Sequence, residues 1–159
     1  MSYALEPRVL TVLVAEDDED DRLLIRDAIH ESGIANHLYF VEDGEELMDF
    51  LGHKNKYLIP VPSPRPDVIF LDLNMPKMDG RLALRYIKSN PALRGIPIVA
   101  LTGSKTTEDI NRTYDLGVNS FVHKPVLIED LVKVIRQLAH YWLEVVKLPK
   151  RNHLPEAPG

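Results

Sequence analysis

Short apolar runs rich in β-branched residues alternate with longer stretches whose apolar positions recur every three or four residues. That alternation predicts βαβ units around a parallel sheet. Strands are expected at residues 9–15, 37–41, 68–71, 98–101 and 120–122, with helices at 20–32, 45–51, 81–89, 107–116 and 128–146. The first, third and fourth strands are almost wholly apolar, as strands covered on both faces must be, whereas His37 and Tyr39 mark the second as an edge. Leu24, Ile25, Ala28 and Ile29 form one helical stripe, and Gly33 follows where a helix C-terminal glycine belongs.

Two segments depart from five plain units. Residues 53–66 carry Pro60, Pro62, Pro64 and Pro66, a spacing that favours extended polyproline II; a connection of this length in a compact domain is uncommon. A helix over 128–146 measures about 28 Å at 1.5 Å per residue, against about 17–20 Å for a strand, so its last turns are expected to overhang the core. Those turns hold Tyr141, Trp142, Val145 and Val146, with Leu148 just after and Pro149 as the stop. The expectation is an exposed apolar patch, and since two-fold homodimers dominate among soluble oligomers, a dimer interface.

Composition narrows the class. At 159 residues and 45% hydrophobic content the chain fits one domain, taken as 1–148 with the proline-rich insertion 53–66 and a long last helix, followed by a polar tail at 149–159. A net charge of −5 without a basic stripe argues against direct nucleic-acid binding. The absence of cysteine excludes disulfides and thiolate metal sites and permits a cytoplasmic location. No run reaches the roughly eighteen apolar residues of a membrane span, and residues 1–8 lack the regions of a signal peptide.

The chemistry lies at the strand ends. The first strand runs into Glu16 and Asp17, the third into Asp72, the fourth into Thr102 and the fifth into Lys124. In a parallel sheet these ends share one edge, where ligands bind. Carboxylates that close repel one another unless a cation neutralises them, and a set of hard oxygen donors without histidine points to Mg²⁺ or Mn²⁺. Asp17 and Asp72 are the expected direct ligands, Glu16 a ligand through water, and the Asn74 main-chain carbonyl a further one. Asp72 is the candidate nucleophile toward a phosphoryl group, with Lys124 and the Thr102 hydroxyl on the phosphate oxygens and Gly103 leaving room for them. Lys124 precedes Pro125, which biases it to an extended conformation and permits a cis peptide. The run Asp18 to Asp21 reads as a helix cap and first-turn acids that favour the helix dipole.

These residues resemble a response-regulator receiver domain of bacterial two-component signalling. The resemblance covers about residues 9–138: Glu16-Asp17, Asp72-Leu73-Asn74-Met75-Pro76 with Met78-Asp79-Gly80, Leu101-Thr102-Gly103, and Phe121-Val122-His123-Lys124-Pro125. It implies a flavodoxin-like α/β fold, doubly wound, with a five-stranded parallel sheet in the order 2-1-3-4-5. It also implies that Asp72 takes phosphate from a sensor histidine kinase, with Mg²⁺ at Asp17, Asp72 and Asn74 assisted by Glu16. Thr102 and Phe121 fall at the family's switch positions. The insertion, the Ile96-Pro97-Ile98-Val99 strand entry and the ending Tyr141-Trp142-Leu143-Glu144-Val145-Val146-Lys147-Leu148-Pro149 resemble stand-alone regulators that partner bacterial phytochromes.

Rival chemistries fit less well. A dehalogenase-type phosphatase needs a second aspartate two residues after its nucleophile, where this chain has Asn74, which cannot exchange a proton. A mononucleotide site needs glycines after the first strand, where this chain has six acids. An inert docking receiver would have lost the acid pair, the acceptor or the lysine. The expected function is a phosphoacceptor rather than an enzyme, at most catalysing its own phosphorylation and dephosphorylation. Its signal passes to a downstream protein, or its phosphate to a histidine phosphotransfer protein.

Overall fold

The computed structural model describes residues 9–58 and 62–149. The expectations for residues 1–8, for Pro60 and for the tail from Lys150 onward lie outside these. The elements run β1 (Leu10–Ala15), α1 (Glu19–Glu31), β2 (Asn36–Val41), α2 (Gly44–Gly52), β3 (Val68–Leu71), α3 (Gly80–Ser89), β4 (Ile98–Thr102), α4 (Thr107–Asp115), β5 (Ser120–His123) and α5 (Ile128–His140). All strand pairs are parallel and the order is β2-β1-β3-β4-β5, as expected. The interior strands β1, β3 and β4 are buried at every position, while β2 alternates as an edge does.

Side chains alternate across the sheet and build two cores. One face carries Leu13, Ala15, Ile69, Leu71 and Ala100 with Phe50 and Leu84 from α2 and α3; the other carries Val12, Val14, Phe70, Val99 and Leu101 with Ile25, Ile29 and Ile135 from α1 and α5. Helix starts follow the capping chemistry: Asp18, Asp43, Asp79 and Thr106 each accept a backbone N–H of the helix they open. Gly80 is obligatory for packing, since a Cβ there would lie 2.5 Å from the Asp72 carbonyl oxygen and 2.7 Å from the Leu73 Cα.

The insertion opens with a 3₁₀ turn at Asn55–Tyr57 and is tied to the body. Tyr57 meets Phe50 edge-on at 5.0 Å, the Ser63 hydroxyl donates to the Phe50 carbonyl at 2.6 Å, and Arg65 donates to the Ala92 carbonyl.

The last helix differs from expectation. It stops being α-helical at His140 and widens into a π-helical turn over Tyr141–Val145, closed by the Val146 N–H donating to the Tyr141 carbonyl at 2.9 Å. The thirteen α-helical residues of α5 span about 20 Å, comparable to a strand, and the π-helical turn continues them by five residues. Trp142 continues the buried stripe of Leu131, Ile135 and Ala139, and it and Leu143 lie on the α1–α5 core at 8% and 9% exposure with Val146 and Leu148 packed beside them. Of the apolar patch expected as a dimer interface, Trp142 is therefore core and Val146 partly buried, whereas Tyr141 and Val145 face solvent. Among the described residues no helix is long and apolar enough to cross a membrane.

Candidate functional site

Backbone hydrogen bonds set the depth at which each strand delivers its last residue. The Glu16 N–H donates to the Val41 carbonyl at 3.0 Å, the Asp72 N–H to the Ala15 carbonyl at 3.0 Å and the Lys124 N–H to the Thr102 carbonyl at 2.7 Å. The register thus holds the strand ends at one level, and carboxylate oxygens of Glu16, Asp17 and Asp72 all lie within 4.8 Å of one another. Glu16 and Asp72 are buried and Asp17 is exposed, so the trio opens to solvent on one side.

Lys124 reaches into this cluster from β5. Its Nζ lies 2.9 Å from Glu16 Oε2, 2.9 Å from Asp21 Oδ2 and 3.4 Å from Asp72 Oδ2. Burial alone would weaken its charge, but the hydrogen bond to Glu16 and the charges of Asp72 and Glu16 raise its pKa above the usual range. Asp21 corrects the reading of the acid run: it follows the Asp18 cap, yet its carboxylate faces the site rather than only the helix dipole. No local signal separates it from its acidic neighbours, because the orientation of α1 against β5 selects which of them meets Lys124. Arg22, also missed, donates to the Glu16 carbonyl at 2.9 Å and pairs with Glu42 at 3.3 Å, fixing the strand end from below.

One ammonium does not neutralise four carboxylates, and the titration of the cluster reflects that. Burial and then the Asp72 charge push the Glu16 carboxyl up to about 7, against the opposing pull of Lys124. Burial also raises Asp72, partly offset by the Asn74 N–H on its Oδ1 at 3.0 Å and by Lys124. Clustered, under-neutralised carboxylates with an open side and no histidine suit a hard divalent cation of the Mg²⁺ or Mn²⁺ kind.

On the far side of Asp72, the Asn74 side-chain amide donates to Thr102 Oγ1 at 3.2 Å, and Thr102 is wholly buried. A Cβ at the neighbouring Gly103 would meet nothing within 4 Å, so the crevice is open there. Phe121 is half-buried against the α2–α3 core, with its N–H donating to the Tyr114 hydroxyl at 3.0 Å. Every site residue expected from the sequence therefore falls on one sheet edge except the patch at Tyr141, Trp142, Val145 and Val146, which lies at the other end of α5.

Comparison with known proteins gives concordant results. Residues 12–136 match the family described as response regulator receiver domain. The chain is 40% identical over 138 residues to the response regulator Rcp1 of Synechocystis sp., covering 87% of this chain and 92% of that protein. Its fold superposes on the crystal structure of the Mn²⁺-bound form of Rcp1 with a TM-score of 0.84 at 39% identity, covering 89% of this chain and 99% of that one. It superposes on the phosphorylated cyanobacterial phytochrome response regulator RcpA with a TM-score of 0.83 at 35% identity, covering 90% and 100%. With the matched segment spanning most of the sequence and the strand-end residues in place, the chain belongs to the response regulator receiver domain family.

Proposed function

We propose that this protein is a single-domain response regulator that accepts a phosphoryl group on Asp72 from the phosphohistidine of a sensor kinase. The observation that carries the reading is the convergence of Asp72 with Glu16, Asp17, Asn74, Thr102 and Lys124 at one sheet edge. An Asp72 carboxylate oxygen attacks phosphorus, the P–N bond breaks, and the leaving imidazole nitrogen keeps the electron pair and takes a proton. The Asn74 N–H holds one Asp72 oxygen and so leaves the other for attack. Lys124 swings from the carboxylates to the phosphate oxygens, and the Thr102 hydroxyl donates to another. Asp17, Asp72 and the Asn74 carbonyl, assisted by Glu16, would hold a divalent cation, which would neutralise the carboxylates as the phosphate arrives.

Similarity to Rcp1 and RcpA, the latter described as a cyanobacterial phytochrome response regulator, supports a bacterial phytochrome as the kinase. The downstream partner is a target protein or a histidine phosphotransfer protein. Self-association is retained only through the exposed Tyr141 and Val145, and sedimentation of wild type against Tyr141→Glu with Val145→Glu decides it.

Incubation with acetyl phosphate and Mg²⁺ followed by intact-mass analysis tests the central claim. Wild type gains one phosphate and Asp72→Asn gains none. A variant that still gains it, or a wild type that never does, overturns the assignment.

A further inference from the structure

The loop that follows Thr102 is tied down by groups the phosphoryl chemistry does not use. Arg81, in the first turn of α3, grips Asp109 in the first turn of α4 with both ends of its guanidinium, Nε to Oδ1 at 3.1 Å and a terminal nitrogen to Oδ2 at 2.6 Å. The Ser104 hydroxyl donates to the same Oδ2 at 2.5 Å. Both ion-pair side chains are only 20% exposed, and Asp79 adds a weaker contact to Arg81 at 3.5 Å. The Asp109 backbone is equally fixed, since its N–H donates to the Thr106 hydroxyl and its carbonyl accepts from the Thr113 hydroxyl. The Ser104 and Arg81 contacts also hold the Asp109 carboxyl below the usual carboxylate range. A bidentate pair that shares a third donor is the geometry in which a partly exposed ion pair has a measurable effect.

Ser104 stands two residues from Thr102, and only Gly103, Ser104 and Lys105 lie between the end of β4 and the α4 cap, Thr106. Thr102 Oγ1 is held by the Asn74 amide in the present conformation. A Thr102 hydroxyl that turns to a phosphate on Asp72 must draw this three-residue connection with it, away from a Ser104 anchored to α3 through Asp109. We infer that Arg81, Asp109 and Ser104 form a latch that holds the Thr102 loop in its resting position and sets the fraction of the protein competent to close on phosphate. The inference rests on the proposed phosphorylation of Asp72.

The latch has a definite sign. A ligand's apparent affinity scales with the fraction of the protein in the competent state, so releasing the latch raises affinity for a phosphate mimic without touching the residues that hold it. Losing one hydrogen bond to a charged acceptor, discounted for partial exposure, corresponds to about a fivefold change. A residue that only supported the fold would lower affinity and stability together.

The experiment titrates beryllofluoride in saturating Mg²⁺ into wild type, Ser104→Ala, Ser104→Thr and Arg81→Gln, with Mg²⁺ affinity measured separately without beryllofluoride. Ser104→Ala and Arg81→Gln are expected to bind beryllofluoride about fivefold more tightly with Mg²⁺ affinity unchanged, and Ser104→Thr, which keeps the hydroxyl, to bind as wild type. Unchanged or weakened affinity in Ser104→Ala overturns the latch. If wild type fails to bind beryllofluoride at all, the phosphorylation reading falls, and amide exchange of Gly103, Ser104 and Lys105 in the free protein then decides the latch alone. Faster exchange in Ser104→Ala upholds it as a loop anchor, and equal exchange removes it.

Discussion

Glu16→Gln is expected to make the metal-free protein more stable at alkaline pH while weakening its hold on the cation. Glu16 is 1% exposed, and its carboxyl is pushed from an ordinary 4.5 to about 7 by burial and by the Asp72 charge. At about 1.4 kcal/mol per pH unit, ionising it in the folded chain costs about 3 kcal/mol more than in the unfolded one. The sign follows from a raised folded pKa: this stability is fully present below pH 4.5 and is lost as pH rises through about 7. Glutamine resembles the protonated acid, so it keeps that stability at every pH. It does not match both donors now on the carboxylate, the Asp18 N–H at 3.2 Å and Lys124 at 2.9 Å, and facing an amide N–H toward one of them costs about 1 kcal/mol. The net gain at pH 8 is about 2 kcal/mol, or roughly 4–8 °C in Tm for a domain of this size. Urea unfolding of chelator-treated wild type and variant at pH 5 and pH 8 reads this directly. The reasoning is refuted by a variant less stable than wild type at pH 8, or by a difference that is the same at both pH values.

The same acid governs metal affinity: ligands must shed their protons, so Mg²⁺ binding strengthens about tenfold from pH 6 to pH 8 and levels off above; a flat calorimetric profile would show that Glu16 takes no part. Asp17→Asn removes an anionic oxygen from the open side of the cluster and should cut Mg²⁺ affinity at least tenfold while leaving the unfolding midpoint of the metal-free protein unchanged or raised; equal affinity would place the cation elsewhere. Trp142→Ala should cost about 3 kcal/mol in urea unfolding, because the indole fills the α1–α5 core; a loss under about 1 kcal/mol would return Trp142 to the surface.

The strands and the site were legible in the sequence because both depend on period and position along the chain. An apolar run of four to six residues ending in a polar side chain fixes where that side chain emerges, and the parallel ladder brings the ends level whatever lies between. Three features were not legible, each for a physical reason. Asp21 is one of six adjacent acids, and only the rotation of α1 against β5 decides which of them meets Lys124. The Arg81–Asp109 pair joins residues 28 apart on different helices, a contact no local pattern encodes. Trp142 was assigned to the outside because a nineteen-residue helix was expected to outrun the strands, whereas it follows the buried Ala139 by three residues and lies against the α1–α5 core.

The two cores divide the molecule into compartments with the sheet as the wall between them. Phe121 packs on the side shared with α2 and α3, whereas its neighbour Val122 packs on the side of α1 and α5. A ring displaced at Phe121 therefore pushes on one compartment only, and the element tied to it there is α4, whose Tyr114 hydroxyl accepts the Phe121 N–H. The opposite compartment is loaded through a different lever, the Lys124 side chain and the chain that leads from it into α5. Events at the crevice thus have two separate mechanical outlets. A surface that reads α4 and one that reads the α1–α5 layer could respond to the same event independently, each tunable by mutations on its own side of the wall.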